Sequence, residues 1–259
     1  MLLPESLSEQ QSSQAKYFDA EFSRYGRYDP EDWRWSYIRR IFGALGVTNG
    51  AGPYLDVGVG GSGATVIEAA RAGVAATGCD LSLEAIVHAQ AFALDQGVAG
   101  RAEFVVCAAE SLPFADSSFG CASSVAVLEH LDDDGAAIAE LARVMRPGGR
   151  AWITVPLAYR YILPPLWPFS LLHDWRLGHK RHYDEPSLVR AFAAAGFRHV
   201  ETTYTGHAVK VLQLAISRLP LDRTSRKRLR WRLERLDLRA VRRAYGALQV
   251  HAVFERVAR

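Results

Sequence analysis

The chain has 259 residues and a formal net charge of +3, with 49% hydrophobic and 23% charged residues. This composition excludes a disordered, collagen-like or disulfide-stapled chain, and the length suits one domain spanning residues 1–259. Met1-Leu-Leu-Pro is followed at once by polar residues, without the basic region or apolar core of a secretory signal, so we expect a cytoplasmic protein.

The N-terminal segment is predicted to be helical and is rich in aromatic residues. Residues 1–13 are polar, and we expect them to fray. From residue 14 to residue 45 the pattern is helical, with an interruption at Asp29-Pro30. A single Tyr or Phe in such a segment could equally be a packing residue.

An alternation of strands and helices follows and predicts an α/β fold. The predicted strands span 54–57, 75–79, 102–106, 120–125, 151–155, 198–204 and 248–255, and the predicted helices span 64–72, 83–96, 133–145 and 185–195. This order favours a doubly wound, mostly parallel seven-stranded sheet. Cys79, Cys107 and Cys121 lie in apolar runs, so we expect buried thiols and no metal site.

Two segments lie outside this alternation. Residues 157–183 contain three prolines among apolar residues, which argue against a continuous membrane-spanning helix. Residues 206–246 contain a predicted helix with an arginine stripe beside an apolar stripe. Within residues 222–243, ten basic residues stand against three acids, a net charge of +7 that leaves −4 for the rest of the chain.

A glycine-rich turn follows the first predicted strand and fits two kinds of ligand. Gly58, Gly60 and Gly63 match the G-x-G-x-x-G pattern of dinucleotide-binding folds, and Asp80 lies at about the distance of the ribose-binding acid in such folds. Asp56, two residues before the first glycine, stands where a dinucleotide-binding strand more often has an apolar residue.

Five blocks together resemble the motifs of class I S-adenosylmethionine-dependent methyltransferases, of the type 11-like family. In order, they are Leu55-Asp-Val-Gly-Val-Gly, Gly78-Cys-Asp-Leu-Ser, Ala109-Glu-Ser-Leu-Pro-Phe-Ala-Asp-Ser-Ser-Phe, Leu128-Glu-His-Leu and Glu140-Leu-Ala-Arg-Val-Met-Arg-Pro-Gly-Gly. The resemblance covers about residues 54–156, and it also implies that the last strand forms an antiparallel hairpin edge of the sheet. It implies a cofactor-binding core at 52–156, an N-terminal lid at 14–46 and substrate-side caps at 157–183 and 206–246.

The resemblance also implies which residues bind S-adenosylmethionine. The implied cofactor-binding residues are Tyr17, Asp56, Gly58, Val59, Gly60, Asp80, Leu81, Ala109, Glu110 and Val125. In related enzymes a lid Tyr often meets the methionyl carboxylate, the acid after the second strand binds the ribose, and the residues after the third strand contact the adenine. Two positions depart from the pattern: Ser62 replaces a glycine, and Ala108 replaces the acid that commonly meets the adenine amino group.

Catalysis of methyl transfer to a hydroxyl group requires a base near neutral pH, a role suited to histidine. His182 is our first candidate and His179 our second, because both follow the proline-rich segment. The alternative is that one of them is a hinge or packing residue paired with Asp174 or Asp184. The apolar cap favours a small, largely hydrophobic acceptor, with O-methylation preferred and C- or N-methylation left open.

Two other functions are compatible with the sequence. The arginine stripe would suit a nucleic-acid methyltransferase, although no Asn/Asp-Pro-Pro-Tyr block and no Pro-Cys pair is present. A non-catalytic binding or scaffold protein is the second alternative. The basic helix at 222–243 could cap the pocket, clamp an anionic substrate group, form a homodimer or rest on an anionic membrane as a peripheral contact.

Overall fold

The computed structural model describes residues 8–23, 34–207, 212, 220 and 222–258. Their central element is a seven-stranded sheet with the strand order β3-β2-β1-β4-β5-β7-β6. The strands are β1 Tyr54–Val57, β2 Ala76–Asp80, β3 Ala102–Val106, β4 Phe119–Val125, β5 Met145–Pro156, β6 Phe197–Thr205 and β7 Gln249–Arg256. The first five strands pair in parallel, whereas β7 is antiparallel to both β5 and β6. The predicted doubly wound, mostly parallel fold is confirmed.

Helices cover both faces of the sheet. They are α1 Glu9–Phe22, α2 Arg34–Leu45, α3 Ala64–Arg71, α4 Leu83–Asp95, α5 Asp134–Val144, α6 Trp167–Leu177, α7 Glu185–Ala194 and α8 Arg223–Asp237. One apolar cluster joins α2, α3 and α4 to the sheet, and a second joins α5 and α7 to the opposite face. Successive strand residues contribute to opposite clusters, as the two-residue period of a strand requires.

The expected chain boundaries need three corrections. First, residues 9–13 belong to α1, because Ser8 and Gln11 form a reciprocal capping box that satisfies the first backbone donors of the helix. Second, β7 is an interior strand between β5 and β6, so β6 and not β7 forms the edge. Third, the Arg146-Pro-Gly-Gly turn is included in β5, with a register shift opposite β4. The Asp29-Pro30 interruption lies outside the described residues.

The last helix is fixed to the sheet by a buried carboxylate. Asp237, at the end of α8, accepts hydrogen bonds from the backbone N–H groups of Gly206 and His207 at 2.7 and 3.1 Å. His207 Nδ1 lies 2.7 Å from the same side chain. The predicted helix therefore exists and is tied to the end of β6.

The apolar proline-rich segment contains α6, an eleven-residue helix that ends at Gly178 in a left-handed conformation. Among the described helices, none combines the length and hydropathy needed to cross a bilayer. All three cysteines are buried and unpaired, as expected.

Candidate active site

A cavity of about 450 Å³ opens at the carboxyl ends of β1, β2 and β4. In the strand order, β1 is flanked by β2 on one side and by β4 on the other. Chain connections diverge at this point, and open α/β sheets bind their ligands in such a crevice. The volume lies within the range of small-molecule and cofactor sites.

The glycine loop after β1 forms one wall of this cavity. Gly58 has a φ of +76°, and a Cβ atom at this position would lie 2.1 Å from Cγ2 of Val127. Asp80 holds the loop, because its Oδ2 accepts the Gly60 N–H at 2.9 Å while its Oδ1 accepts the Ser82 N–H at 3.0 Å. The backbone of the loop can therefore approach a ligand closely, with Asp80 beside it.

Asp56 is buried under the loop at the centre of a hydroxyl network. Thr65 donates a hydrogen bond to its Oδ2, Ser123 donates to its Oδ1, and Tyr54 OH lies 2.5 Å from Ser123 Oγ. Burial nevertheless raises the pKa of Asp56 to about 6, against the lowering effect of these hydrogen bonds. The network links β1, α3 and β4 directly beneath the cavity.

The ionisable residues that line the cavity are predominantly acidic. The described lining residues include Glu21, Asp56, Asp80 and Glu110 and contain no Lys or Arg. Burial raises the pKa of Asp80 and of Glu110 above their usual values. The site thus favours a ligand that carries positive charge and hydroxyl groups over one that carries phosphates.

Helix α1 covers the mouth of the cavity. Its side chains Gln14, Phe18, Glu21 and Phe22 line the space, and the Phe22 ring lies near the glycine loop. Asp19 Oδ1 accepts a hydrogen bond from Ser82 Oγ at 2.5 Å and one from the Glu84 N–H at 3.3 Å. Helix α1 is thus tied to the start of α4.

The structure brings together nearly all of the residues predicted to bind the cofactor. The following line the one cavity: Asp56, Gly58, Val59, Gly60, Asp80, Leu81, Ala109, Glu110 and Val125. Tyr17 is the exception, because its hydroxyl donates to the carbonyl of Arg176 at 2.6 Å and the residue is not among the lining set. Ser62 and Ala108, the two departures from the family pattern, also line the cavity.

A second cavity of about 110 Å³ adjoins the first and shares Ala126, His130 and Leu177 with it. Its apolar lining consists of Ala126, Pro156, Ile162, Phe169, Leu177 and Leu248. Its polar lining includes Glu129, His130, His173, Asp174, His179 and His182. Both histidines predicted to act in catalysis therefore lie beside the candidate cofactor cavity.

The two histidines share one carboxylate. His179 Nδ1 lies 2.7 Å from Asp174 Oδ1, and His182 Nε2 lies 2.8 Å from Asp174 Oδ2. Tyr159 OH also donates to this carboxylate, and its ring stacks on His182. Burial alone would raise the pKa of Asp174, but the hydrogen bond from Tyr159 and the interaction with His182 outweigh it and lower that pKa.

The segment that carries these histidines is docked on the loop after β4. The backbone N–H of Lys180 donates to the Glu129 carbonyl at 2.8 Å. Arg181 donates to the carbonyls of Leu131 and Asp132 and forms an ion pair with Asp134. The backbone beside the histidines is therefore fixed by contacts that do not involve their rings.

His130 occupies the boundary between the two cavities. Burial, followed by the effect of His179, lowers its pKa to about 4, so its ring is neutral near pH 7. The Phe18 ring contacts it edge-on at 5.3 Å, and the His179 ring is 4.9 Å away on the basis of ring centroids. His207 lines neither cavity, and its Nδ1 forms a hydrogen bond with Asp237.

Several site residues carry no recognisable motif. Gln14, Phe18, Glu21 and Phe22 reach the cavity only because α1 folds back over it. Ala126 takes a φ of +57°, which is rare for a residue with a side chain, and its N–H donates to the carbonyl of Thr154. No pattern in the sequence predicts the contact of α1 with the cavity or the positive φ of Ala126.

The sequence of the core is similar to a known family of domains. Residues 55–153 match the model of a methyltransferase domain. This match covers the part of the chain that forms β1 to β5 and lines the cavity. S-adenosylmethionine is the cofactor of class I methyltransferases, and the cavity is lined by the motifs of this domain.

Relatives of the chain include proteins named as C-methyltransferases and as O-methyltransferases. The chain is 33% identical over 157 residues to the ubiquinone/menaquinone biosynthesis C-methyltransferase UbiE of Desulfotalea psychrophila, covering 58% of this chain and 61% of that protein. It is 41% identical over 96 residues to the O-methyltransferase resE of Aspergillus sclerotiorum, covering 37% of this chain and 36% of that protein. The chain thus spans less than two thirds of either relative.

Solved structures share the whole fold at low sequence identity. The geranyl diphosphate C-methyltransferase of Streptomyces coelicolor A3(2), solved with Mg²⁺, geranyl diphosphate and S-adenosyl-L-homocysteine, superposes with a TM-score of 0.70 at 16% identity, over 98% of this chain and 100% of that one. The [4+2]-cyclase SpnF superposes with a TM-score of 0.65 at 19% identity, over 98% of each chain. This fold therefore also occurs in a protein named for a different reaction.

Proposed function

We propose that this protein transfers a methyl group from S-adenosylmethionine to a small, largely hydrophobic acceptor. When bound, the cofactor supplies a methyl group on a positively charged sulfur. The protein's part is to hold acceptor and methyl group in line and to keep water out of the site. The division into lid, cofactor core and two cap segments is part of this proposal.

The acidic lining of the larger cavity is the observation that carries the proposal. A dinucleotide would bring a pyrophosphate against four acids with no Lys or Arg among the described lining set. A sulfonium and an ammonium group instead gain from the same charges. Asp80 supports a ribose-binding role, because it lies at the end of β2 and already holds the glycine loop.

The acceptor site that we propose is the second cavity. Ile162, Phe169 and Leu248 make its wall apolar, and its shared boundary with the larger cavity would let an acceptor atom approach the methyl group. A hydrophobic molecule with one reactive polar atom fits this combination. The O-methyltransferase and C-methyltransferase relatives both support such an acceptor.

For a hydroxyl acceptor, we propose that the proton leaves towards the cluster of Asp174, His179 and His182. His182 and His179 stay the candidates for the residues that assist deprotonation, with Asp174 as the carboxylate that orients both rings. His179 reaches Asp174 through Nδ1, an arrangement that supports a role for the opposite edge of its ring. These three residues would contact the acceptor or position the residue that does.

Calorimetric titration of the purified protein with S-adenosylmethionine and S-adenosylhomocysteine tests the proposal first. We expect affinities in the micromolar range, an affinity at least about tenfold lower for Asp80→Ala, and no binding of NADH. Asp95→Ala serves as a matched control, because Asp95 is an exposed acid at the end of α4. Binding of NADH in preference to both compounds would contradict the proposal.

A further inference from the structure

The cluster of Asp174, His179 and His182 has the composition of a metal site. One ligand atom from each of the three lies within 4.8 Å of the other two. The side chains are 15%, 7% and 14% exposed, so the cluster is largely withdrawn from solvent. Glu129, His130 and His179 form a second such group, which places His179 between two carboxylates.

The hydrogen bonds of His182 place acceptors at both ring nitrogens. Its Nδ1 lies 2.8 Å from the carbonyl oxygen of Leu157, which can only accept. Its Nε2 lies 2.8 Å from Asp174 Oδ2, an oxygen that Tyr159 also approaches as a donor. Both ring nitrogens of His182 therefore face oxygen acceptors.

A metal ion at Nε2 fits this arrangement. An Nδ1–H donated to the Leu157 carbonyl fixes the tautomer and leaves Nε2 as the ligand, the arrangement found around most metal-bound histidines. Tyr159 in turn donates to the carboxylate, as outer-shell partners of ligating carboxylates do. Two imidazoles and one carboxylate suit transition metals better than Mg²⁺ or Ca²⁺, which prefer oxygen ligands.

We propose that Asp174, His179 and His182 bind one divalent transition-metal ion of the zinc, cobalt or manganese class, with its open coordination side towards the second cavity. Three protein ligands and an open side are the mark of a catalytic metal site rather than a structural one. Ile162, Phe169 and Leu248 line the second cavity next to this open side. Their apolar side chains restrict water, and the cavity provides space for an acceptor.

The ion would deepen the proposed function, on which this part of the inference rests. A hydroxyl group beside a divalent cation loses its proton more easily, so the ion replaces a free histidine base. The proton passes to solvent, the oxygen electron pair forms the bond to the methyl carbon, and the methyl–sulfur bond breaks to leave a neutral thioether.

Metal binding can be measured without any acceptor. Protein stripped with a chelator is dialysed against micromolar Zn²⁺ and its metal content determined, and Co²⁺ is then added to record the visible absorption of the bound ion. We expect one ion per chain and a Co²⁺ spectrum typical of nitrogen and oxygen ligands. His179→Ala and Asp174→Asn should lower the affinity at least about 100-fold, the upper range already seen for outer-shell partners.

Two further variants keep the experiment decisive. His199→Ala removes a half-buried histidine on β6 that pairs with Thr202, outside the cluster, and should leave metal binding unchanged. His182→Gln removes a proposed ligand but keeps a side chain that can form hydrogen bonds. It therefore still tests the site if His179→Ala fails to fold. Binding of S-adenosylhomocysteine by each variant reports that the fold is intact.

The outcomes separate the two proposals. Metal content near zero, or equal affinity in wild type, Asp174→Asn and His179→Ala, overturns the metal site and leaves the histidines as direct bases. Metal bound at the cluster by a protein that binds no S-adenosylhomocysteine upholds the metal site and contradicts the proposed function. Chelator-sensitive methyl transfer that Zn²⁺, Co²⁺ or Mn²⁺ restores supports both.

Discussion

Asp56 is a buried carboxyl group whose raised pKa makes the stability of the protein depend on pH. Its pKa is about 6 in the folded protein, above the usual value near 3.8. Between these two values the folded state binds more protons than the unfolded state, so this residue's contribution to stability falls as the pH rises from about 4 to about 6. Above pH 6, ionisation of the buried Asp56 side chain lowers the unfolding free energy by about 3 kcal/mol.

We therefore predict that Asp56→Asn removes this pH dependence. As the pH rises from 4.5 to 7, the unfolding free energy of the variant should increase relative to that of wild type, because the Asn side chain cannot ionise. Urea unfolding at both pH values gives the difference, and Asp95→Asn, an exposed acid, controls for the general effect of losing a charge. An equal change in both variants would contradict the buried, raised-pKa state of Asp56.

Gly58 permits both the turn and the approach of Val127. An added Cβ meets Val127 Cγ2 at 2.1 Å and sits on a backbone with φ of +76°. We predict that Gly58→Ala destabilises the protein by about 1–3 kcal/mol and lowers the affinity for S-adenosylhomocysteine at least about tenfold. Thermal unfolding and calorimetry measure the two effects.

Gly73 offers the matched control. It has a φ of +85°, but no atom lies within 4 Å of the position that a Cβ would take. Gly73→Ala should therefore cost only the strain of the left-handed backbone, about 1–2 kcal/mol, and keep the cofactor affinity. Equal loss of affinity in both variants would mean that the loop does not contact the ligand.

Residues inside local motifs could be placed from the sequence, whereas those brought in by packing could not. Asp56, Gly58 and Asp80 follow strand ends, and strand ends of a parallel sheet meet at one edge. Phe22 reaches the site through the path of α1, and Asp174 meets the two histidines because the chain turns at Gly178 after α6. Such long-range placement depends on tertiary contacts that leave no periodic trace in the chain.

At the scale of elements, α1 is held on the core by several polar contacts, including the hydrogen bond from Gln14 Nε2 to the His130 carbonyl. Asp19 binds Ser82 and the Glu84 N–H at the start of α4, and Tyr17 OH binds the Arg176 carbonyl. These contacts hold α1 over the cavity, so their loss is expected to favour opening of the helix. Release of the ligand should then depend on Asp19.

We predict that Asp19→Ala raises the dissociation rate of S-adenosylhomocysteine about tenfold with little change in the association rate. Loss of a hydrogen-bonded charge of this kind weakens attachment by about 1.5–3 kcal/mol. Stopped-flow displacement measures the rate, and Lys16→Ala, an exposed residue of the same helix, is the control. An unchanged dissociation rate would show that α1 does not retain the ligand.

The elements themselves were largely predictable because their periodicities are strong. The strands β1 and β3 match their predicted limits, since each is an apolar run bounded by turn residues. The position of β7 was not predictable in this way. Hydrophobic alternation identifies a strand but does not reveal its neighbours in the sheet.

At the scale of the whole molecule, the positive charge is concentrated on one exposed surface of α8 and the turn after it. Arg228, Arg232, Arg235, Arg239 and Arg242 are all exposed. Trp231 and Leu236 beside them are 42% and 52% exposed. The arginine stripe expected from the sequence therefore faces solvent, together with apolar side chains that suit an interface.

We predict that this surface binds vesicles that contain anionic lipid and releases them at high salt. Each basic residue near such a membrane contributes about 1 kcal/mol, so reversing Arg232, Arg235 and Arg239 to Glu should abolish co-sedimentation. Arg101→Glu, an exposed change before the opposite edge strand β3, should not. Salt-insensitive self-association in place of vesicle binding would instead indicate a homodimer surface.

The interior position of β7 has a consequence for the order of assembly during synthesis. β6 pairs with β7, and β7 pairs with β5, so β6 has no place in the sheet until β7 exists. About forty residues separate the two strands, which a ribosome translates in roughly 2–8 s. During that interval both β5 and β6 present open edges, a template for wrong pairing.

A chain truncated after residue 248 should therefore lose more than one strand. We predict that it aggregates on release, whereas a chain truncated after residue 256 remains monodisperse in size-exclusion chromatography. A monodisperse product from the shorter chain would contradict this order. The last strand to be translated joins β6 to the rest of the sheet. A quality-control protease would therefore encounter the nascent protein while its sheet is still incomplete.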